Sequence, residues 1–168
     1  FMGDYEKAAP WSDSSVKGCK RFLDRVWSLA DMLTDDEGYR PHFASKMHKL
    51  IKKVSADIDG MKFNTAIAAM MTILNDFYQD GSISRGELKD FLIMLYPFAP
   101  HITEEMYQNC GFGGYIHDAK WPEFDESMCK DDEIEIAVQI NGKLKDRAVI
   151  SADAAQDEVL ELVKKNQK

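Results

Sequence analysis

Glu87-Leu88-Lys89-Asp90-Phe91-Leu92-Ile93-Met94-Leu95-Tyr96 is apolar nearly all the way round a helical wheel, and Pro97 and Pro100 interrupt it. A helix of that kind has no broad face to offer water, so it belongs in the middle of a helical bundle. The segments before it carry the stripes that would cover it. Residues 41–59 set Phe43, Met47, Leu50, Ile51, Val54 and Ile58 at three- and four-residue steps, and Gly60 stops them. Residues 63–78 repeat the pattern with Phe63, Ala66, Ile67, Met70, Leu74 and Phe77. Ala66, Ala68 and Ala69 would let a neighbouring helix approach closely, and Gly81 ends the segment. Residues 16–33 place Val16, Cys19, Leu23, Val26, Trp27, Ala30 and Leu33 on one stripe, with Ser14 or Ser15 as the cap. A short helix restarts at Pro100-His101-Ile102, where proline suits the first turn and Glu104 and Glu105 lie near the positive end. Short connections make such helices antiparallel neighbours. The expectation is a mainly α protein built on an antiparallel helical bundle.

The pattern changes at Cys110-Gly111-Phe112-Gly113-Gly114. Residues 1–110 read as the bundle, and residues 111–132 read as a linker packed on it through Tyr115, Trp121 and Phe124. Residues 133–168 read as a small α+β appendage, a β-hairpin plus a helix. Its first strand alternates Ile134, Ile136, Val138 and Ile140 with Glu133, Glu135, Ala137 and Gln139, and Asn141-Gly142 is a tight-turn pair. A two-residue turn would set Ile140 opposite Lys143, Val138 opposite Lys145 and Ile136 opposite Arg147, an apolar row against a basic one. A shift of one residue pairs Ile140 with Leu144, Ile136 with Ala148 and Ile134 with Ile150. A bulge or a three-residue connection near Lys143 is therefore expected.

The 168 residues carry a net charge of −8, and both the first 110 residues and the remainder are acidic. Global electrostatic capture of nucleic acid is excluded, so any RNA contact must come from local basic faces. Cys19, Cys110 and Cys129 are odd in number and widely spaced, which fits neither a disulfide framework nor a metal pattern and points to a reducing cytoplasm. His42, His48, His101 and His117 do not join them at ligand spacing, so no metal site is expected. The longest uncharged run, Phe91 to Thr103, is too short for a bilayer, and Phe1-Met2-Gly3-Asp4 lacks the features of a signal peptide, so no membrane partner is expected. There is no glycine-rich phosphate loop and no hydrolase elbow, and therefore no catalytic residue is assigned. Asp57/Asp59 and Glu104/Glu105 sit at spacings that point side chains apart on a helix.

Three sets of basic residues stand out. Lys17, Lys20, Arg21 and Arg25 stack at helical steps; so do Lys46, Lys49 and Lys53; Lys143, Lys145 and Arg147 alternate along a strand. Each could track phosphates. Taken alone, each is better explained by a solvated surface.

Longer strings carry more. Phe1-Met2-Gly3, Ala9-Pro10-Trp11-Ser12, Val16-Lys17-Gly18-Cys19-Lys20-Arg21-Phe22-Leu23-Asp24-Arg25-Val26-Trp27 and Lys62-Phe63-Asn64-Thr65-Ala66-Ile67-Ala68-Ala69-Met70-Met71 occur in that order. Tyr96-Pro97-Phe98-Ala99-Pro100-His101-Ile102-Thr103-Glu104-Glu105, Trp121-Pro122 and Val138-Gln139-Ile140-Asn141-Gly142-Lys143-Leu144 follow. Together they resemble the C-terminal region of leucyl-tRNA synthetases of the bacterial type. The resemblance implies a class I anticodon-binding-type bundle, followed by the start of the small C-terminal domain. It implies a parent leucine–tRNA ligase that uses ATP and magnesium, with tRNA-Leu and the catalytic and editing domains of the same polypeptide as partners. DNA is not implied, nor is a cofactor within this segment. The adenylation signatures His-Ile-Gly-His and Lys-Met-Ser-Lys-Ser are absent, and Ser45-Lys46-Met47-His48-Lys49 is a decoy inside a helical pattern. The alternatives are the equivalent segment of a valyl or isoleucyl synthetase, and a helical interaction module without RNA binding.

Overall fold

The computed structural model describes Ala8 and residues 13–129, 133–140 and 143–151. The expected turn at Asn141-Gly142 and the expected helix within 151–168 lie outside the described residues. The chain divides into two compact units, Phe1–Cys129 and Lys130–Lys168.

Five α-helices build the described part of the first unit: α1 (Asp13–Trp27), α2 (Pro41–Asp59), α3 (Phe63–Asp80), α4 (Arg85–Leu95) and α5 (Pro100–Asn109). Phe91, Leu92, Ile93, Met94 and Leu95 are all buried, so α4 is the central helix its sequence implies. Phe43, Phe77 and Phe91 carry the core from α2 through α3 to α4, with ring centroids 5.0 Å apart for the first pair and 6.2 Å for the second. Gly81 ends α3 with φ +82°, a left-handed position that costs glycine nothing.

Two expectations for α1 need correction. The helix begins at Asp13, so Ser14 and Ser15 lie within its first turn and not before it. Its buried residues are Phe22 and Val26, continued by Leu29 in the turn that follows, whereas Val16 and Trp27 are exposed. At about 100° per residue, Val16 and Trp27 sit roughly a quarter turn or more from the line through Phe22, Val26 and Leu29. The chain then tightens into a 3-10 turn over Ser28–Met32.

The loops after α1 and before α4 are laced together. Thr34 N–H donates to Ile83 O at 2.8 Å, Ile83 N–H to Met32 O at 3.0 Å and Arg85 N–H to Asp36 O at 2.8 Å. A Cβ on Gly86 would stand 2.6 Å from Glu37 O, so only glycine permits this approach. Ser84 and Glu87 form a capping box: Glu87 N–H donates to Ser84 Oγ at 3.2 Å and Ser84 N–H to Glu87 Oε2 at 3.0 Å. Arg40, immediately before α2, closes the corner. Its backbone N–H donates to Glu87 Oε1 at 2.9 Å, its guanidinium lies 2.8 Å from Glu87 Oε2, and it also pairs with Asp80 at the end of α3. The Ser82 hydroxyl and the Arg40 guanidinium hold Asp80 down to a pKa of about 2.

Ile116 is buried beside α5, its N–H donating to Glu104 Oε2 at 3.1 Å, and residues 121–129 pack along α2. Of the three aromatics expected to hold this stretch, Trp121 packs, whereas Tyr115 and Phe124 are exposed. Trp121 Nε1–H donates to Ser55 Oγ at 2.9 Å, and Asp125 N–H donates to His48 Nδ1 at 3.1 Å. Lys52 pairs with Glu126. His48, Lys52 and Ser55 fall at four- and three-residue steps, one line along the helix.

In the second unit, β1 (Glu133–Ile140) and β2 (Lys143–Ser151) pair antiparallel. Ile134 pairs with Ile150 and Ile136 with Ala148, the shifted register expected from the apolar alternation. The irregularity lies between Val138 and Gln139, opposite Asp146 and Leu144, so Lys145 is the extra residue. It does not lie at the connection, because Ile140 pairs with Lys143 and not with Leu144.

Replacing Leu95 by Ala is expected to cost about 2–5 kcal/mol in urea unfolding, as for a fully packed leucine. A loss under about 1 kcal/mol would remove α4 from the centre of the core. The depressed Asp80 predicts an acid limb of definite sign. Its contribution is complete above about pH 4, its unfolded range, and is lost as pH falls through about 2. Asp80→Asn should therefore flatten stability between these limits; an acid limb identical to that of the parent chain would assign it to other carboxylates.

Candidate nucleic-acid interface

The two helical sets of basic residues reach the same turn of α3 from opposite flanks. Arg25 Nη1–H on α1 donates to Asn75 Oδ1 at 2.8 Å, and Lys46 Nζ on α2 donates to Asp76 Oδ2 at 2.7 Å. Asn75 and Asp76 are neighbours in sequence, so α3 lies between the two sets.

The members of each set differ in how their charge is held. On α1, Lys17 and Arg21 are exposed, and Lys20 donates to Asp24 at 2.6 and 2.8 Å. Arg25 is oriented by neutral groups: besides Asn75, its guanidinium lies 4.5 Å from the Tyr78 ring centroid, and Tyr78 O–H donates to Arg25 O at 2.8 Å. No carboxylate among the described residues pairs with it. On α2, Lys46 also lies 5.3 Å from the Phe43 ring centroid, and Lys53 pairs with Asp57, whose carboxylate is nearly buried. Lys53 and its neighbours hold the Asp57 carboxyl below the ordinary aspartate range against the opposing effect of burial. Arg cations oriented without a carboxylate retain donors for an incoming anion, whereas paired lysines must exchange one anion for another.

Lys46, Lys49 and Lys53 line a groove of about 360 Å³ between α2 and α3, with Leu50, Ile73 and Ala69 contributing apolar floor. Past Lys46 the surface turns acidic, where Asp76 and Asp80 accompany His42. The decoy string Ser45–Lys49 lies inside α2, and its Met47 is fully buried, so it is a piece of core helix. In the second unit, Lys143 pairs with Ile140 and Arg147 with Ala137, while Lys145 occupies the irregularity, so the two-residue alternation of these three residues is broken along β2. Among the described residues no group of three His, Cys, Asp or Glu side chains could hold a metal ion. Nor is any helix there long and apolar enough to cross a membrane.

Sequence reasoning does not single out Asn75, Asp76 or Tyr78, the α3 residues that the two basic sets reach. A signal exists: Ala68, Thr72, Asn75 and Gln79 recur at four- and three-residue steps and are all exposed, an uncharged outer face between charged helices.

Comparison with known proteins adds the following. A family described as the anticodon-binding domain of tRNA ligase matches residues 41–161. A leucine–tRNA ligase of Alkaliphilus oremlandii is 48% identical over 161 residues, covering 96% of this chain and 20% of that protein. That of Chlorobaculum parvum is 40% identical over 171 residues, covering 98% and 21%. Among solved structures, the ternary LeuRS–tRNA–LeuAMS complex of Agrobacterium radiobacter is similar with a TM-score of 0.76 at 30% identity, over 92% of this chain and 22% of that one. The chain thus spans about a fifth of the length of the relatives it matches.

Proposed function

Because this chain belongs to the anticodon-binding domains of tRNA ligases, in the region found in leucyl-tRNA ligases, we propose that it binds tRNA-Leu and positions it for leucylation. In this reading the activating chemistry, with ATP and magnesium, and the editing of errors belong to other domains of the same polypeptide. The solved relative whose fold this chain shares was captured with tRNA and LeuAMS, which supports an RNA partner for this region.

The observation that carries the reading is the convergence of two basic helix faces on one turn of α3 in a chain whose net charge is −8. An acidic protein attracts RNA only where cations are gathered. Lys17, Lys20, Arg21 and Arg25 on one flank and Lys46, Lys49 and Lys53 on the other are the proposed backbone contacts. Such contacts position an RNA without reading its sequence. Residues 1–110 then act as the tRNA-supporting bundle, 111–132 as the linker packed on it, and 133–168 as the beginning of a C-terminal α+β domain. Lys143, Lys145 and Arg147 remain proposed contacts of that second unit. A helical interaction module without RNA binding is the competing reading, and it predicts no salt-dependent association with tRNA.

Titration of the chain with a tRNA-Leu transcript and with a non-cognate tRNA, at two salt concentrations, separates the two. Binding should weaken steeply with salt and favour the leucine acceptor. Changing Arg21 and Arg25 to Gln should flatten the log–log salt slope by about one unit for each phosphate no longer neutralised. An unchanged slope would return this face to ordinary solvated surface. The chain by itself should catalyse no leucine-dependent ATP–pyrophosphate exchange. Exchange that survives removal of contaminating enzyme would place the adenylation chemistry here after all.

A further inference from the structure

The α2–α3 groove has cations on one wall, and Asp76 faces them from the other. Lys46 and Lys53 stand seven residue steps apart on α2 with Lys49 between them, about 10 Å of helix axis, a length on the order of a few successive phosphates along one strand. Lys46 and Lys53 have carboxylate partners of unlike character. Asp57 lies on α2 itself, one turn from Lys53, and its side chain is 7% exposed; it is a fixed part of the wall. Asp76 reaches across from α3, its side chain is 30% exposed, and it meets a Lys46 that is 52% exposed. It already reaches water, as Asp57 scarcely does.

We propose that Asp76 is a displaceable counter-charge in this groove, and that the groove takes a run of phosphodiesters and not a single anion. The proposal rests on the tRNA-binding reading above. A lone phosphate at Lys46 offers that lysine no more than Asp76 already does. A strand that meets Lys49 and Lys53 as well makes the exchange at Lys46 effectively intramolecular, and Asp76 then gives way. The acidic end beyond Lys46, with Asp80 beside His42, bounds the track to the section between Lys46 and Lys53. Asp76 therefore works as a threshold: it lowers affinity for every anion and lowers it least, in proportion, for a polyanion that spans the wall.

The test compares Asp76→Asn with Glu123→Gln in the full chain. Both changes remove one carboxylate that pairs with a lysine, and Glu123 lies in the 116–129 segment, outside the groove. Binding of a tRNA-Leu transcript at low salt is the readout, with thermal unfolding as the check on folding. Asp76→Asn should tighten binding by about two- to fivefold, the range expected of one exposed ion pair, and Glu123→Gln should not. Inorganic phosphate should compete with the transcript no better than chloride at equal ionic strength. Equal tightening by both variants would make the effect one of net charge and overturn the proposal. So would an unchanged or weaker Asp76→Asn complex, or efficient competition by inorganic phosphate. In each of these cases the tRNA reading survives, since the parent chain binds; failure of the parent chain to bind any tRNA would overturn both.

Discussion

The buried pair between Arg40 and Glu87 is the constraint on which the first unit turns. Glu87 is fully buried, and a carboxylate there is tolerable only because its oxygens accept from the Arg40 guanidinium, the Arg40 backbone and the Ser84 backbone. One side chain therefore fixes the first turn of α4, the residue that leads into α2 and, through the same guanidinium, the end of α3 at Asp80. Three helix ends are pinned to one corner. At that corner α2 begins and α3 ends, and the two helices pack along one another from there. Removal of either member of the pair would strand the other in the interior, so the corner is sensitive to conservative changes that a surface ion pair would absorb.

The electrostatics of the surface follow a second rule. An acidic chain that gathers lysines into rows has carboxylates close at hand, and it uses them: Lys20 with Asp24, Lys46 with Asp76, Lys52 with Glu126, Lys53 with Asp57. Arg25, by contrast, is oriented by an amide and an aromatic ring. Charge counts along a helix therefore overstate what a partner meets. The relevant quantity is the cation left after its nearest carboxylate is taken into account, and that depends on the neighbouring helix.

Much of the fold is legible in the sequence because the bundle obeys local rules. The all-round apolar character of Phe91 to Leu95 can be satisfied in only one place, and the stripes of α2 and α3 follow a single period. The stripe of α1 is the exception. Val16 and Trp27 are apolar but lie off the line of Phe22, Val26 and Leu29, and apolar character at the wrong angle buries nothing. The Ser84–Glu87 capping box is visible as a serine three residues before a glutamate, yet the buried partner that makes it consequential, Arg40, is 47 residues away. The same distance limit applies to the candidate interface. The basic rows are readable by spacing, but their meeting at Asn75 and Asp76 depends on which helices are neighbours. In the hairpin, the conflict between turn and alternation correctly announces an irregular register. Its position, opposite Val138 and Gln139, is set by the pairing of the two strands and not by either strand alone.

The packing of residues 121–129 against α2 fixes the tautomer of a histidine. Asp125 offers its backbone N–H to His48 Nδ1, so that ring nitrogen is an acceptor and the imidazole proton resides on Nε2. The tautomer of a histidine in mid-helix is thus dictated by a residue 77 positions further along the chain. The Trp121–Ser55 hydrogen bond and the Lys52–Glu126 ion pair flank that contact, so the ring is held in its orientation by a segment fastened to α2 on both sides of it.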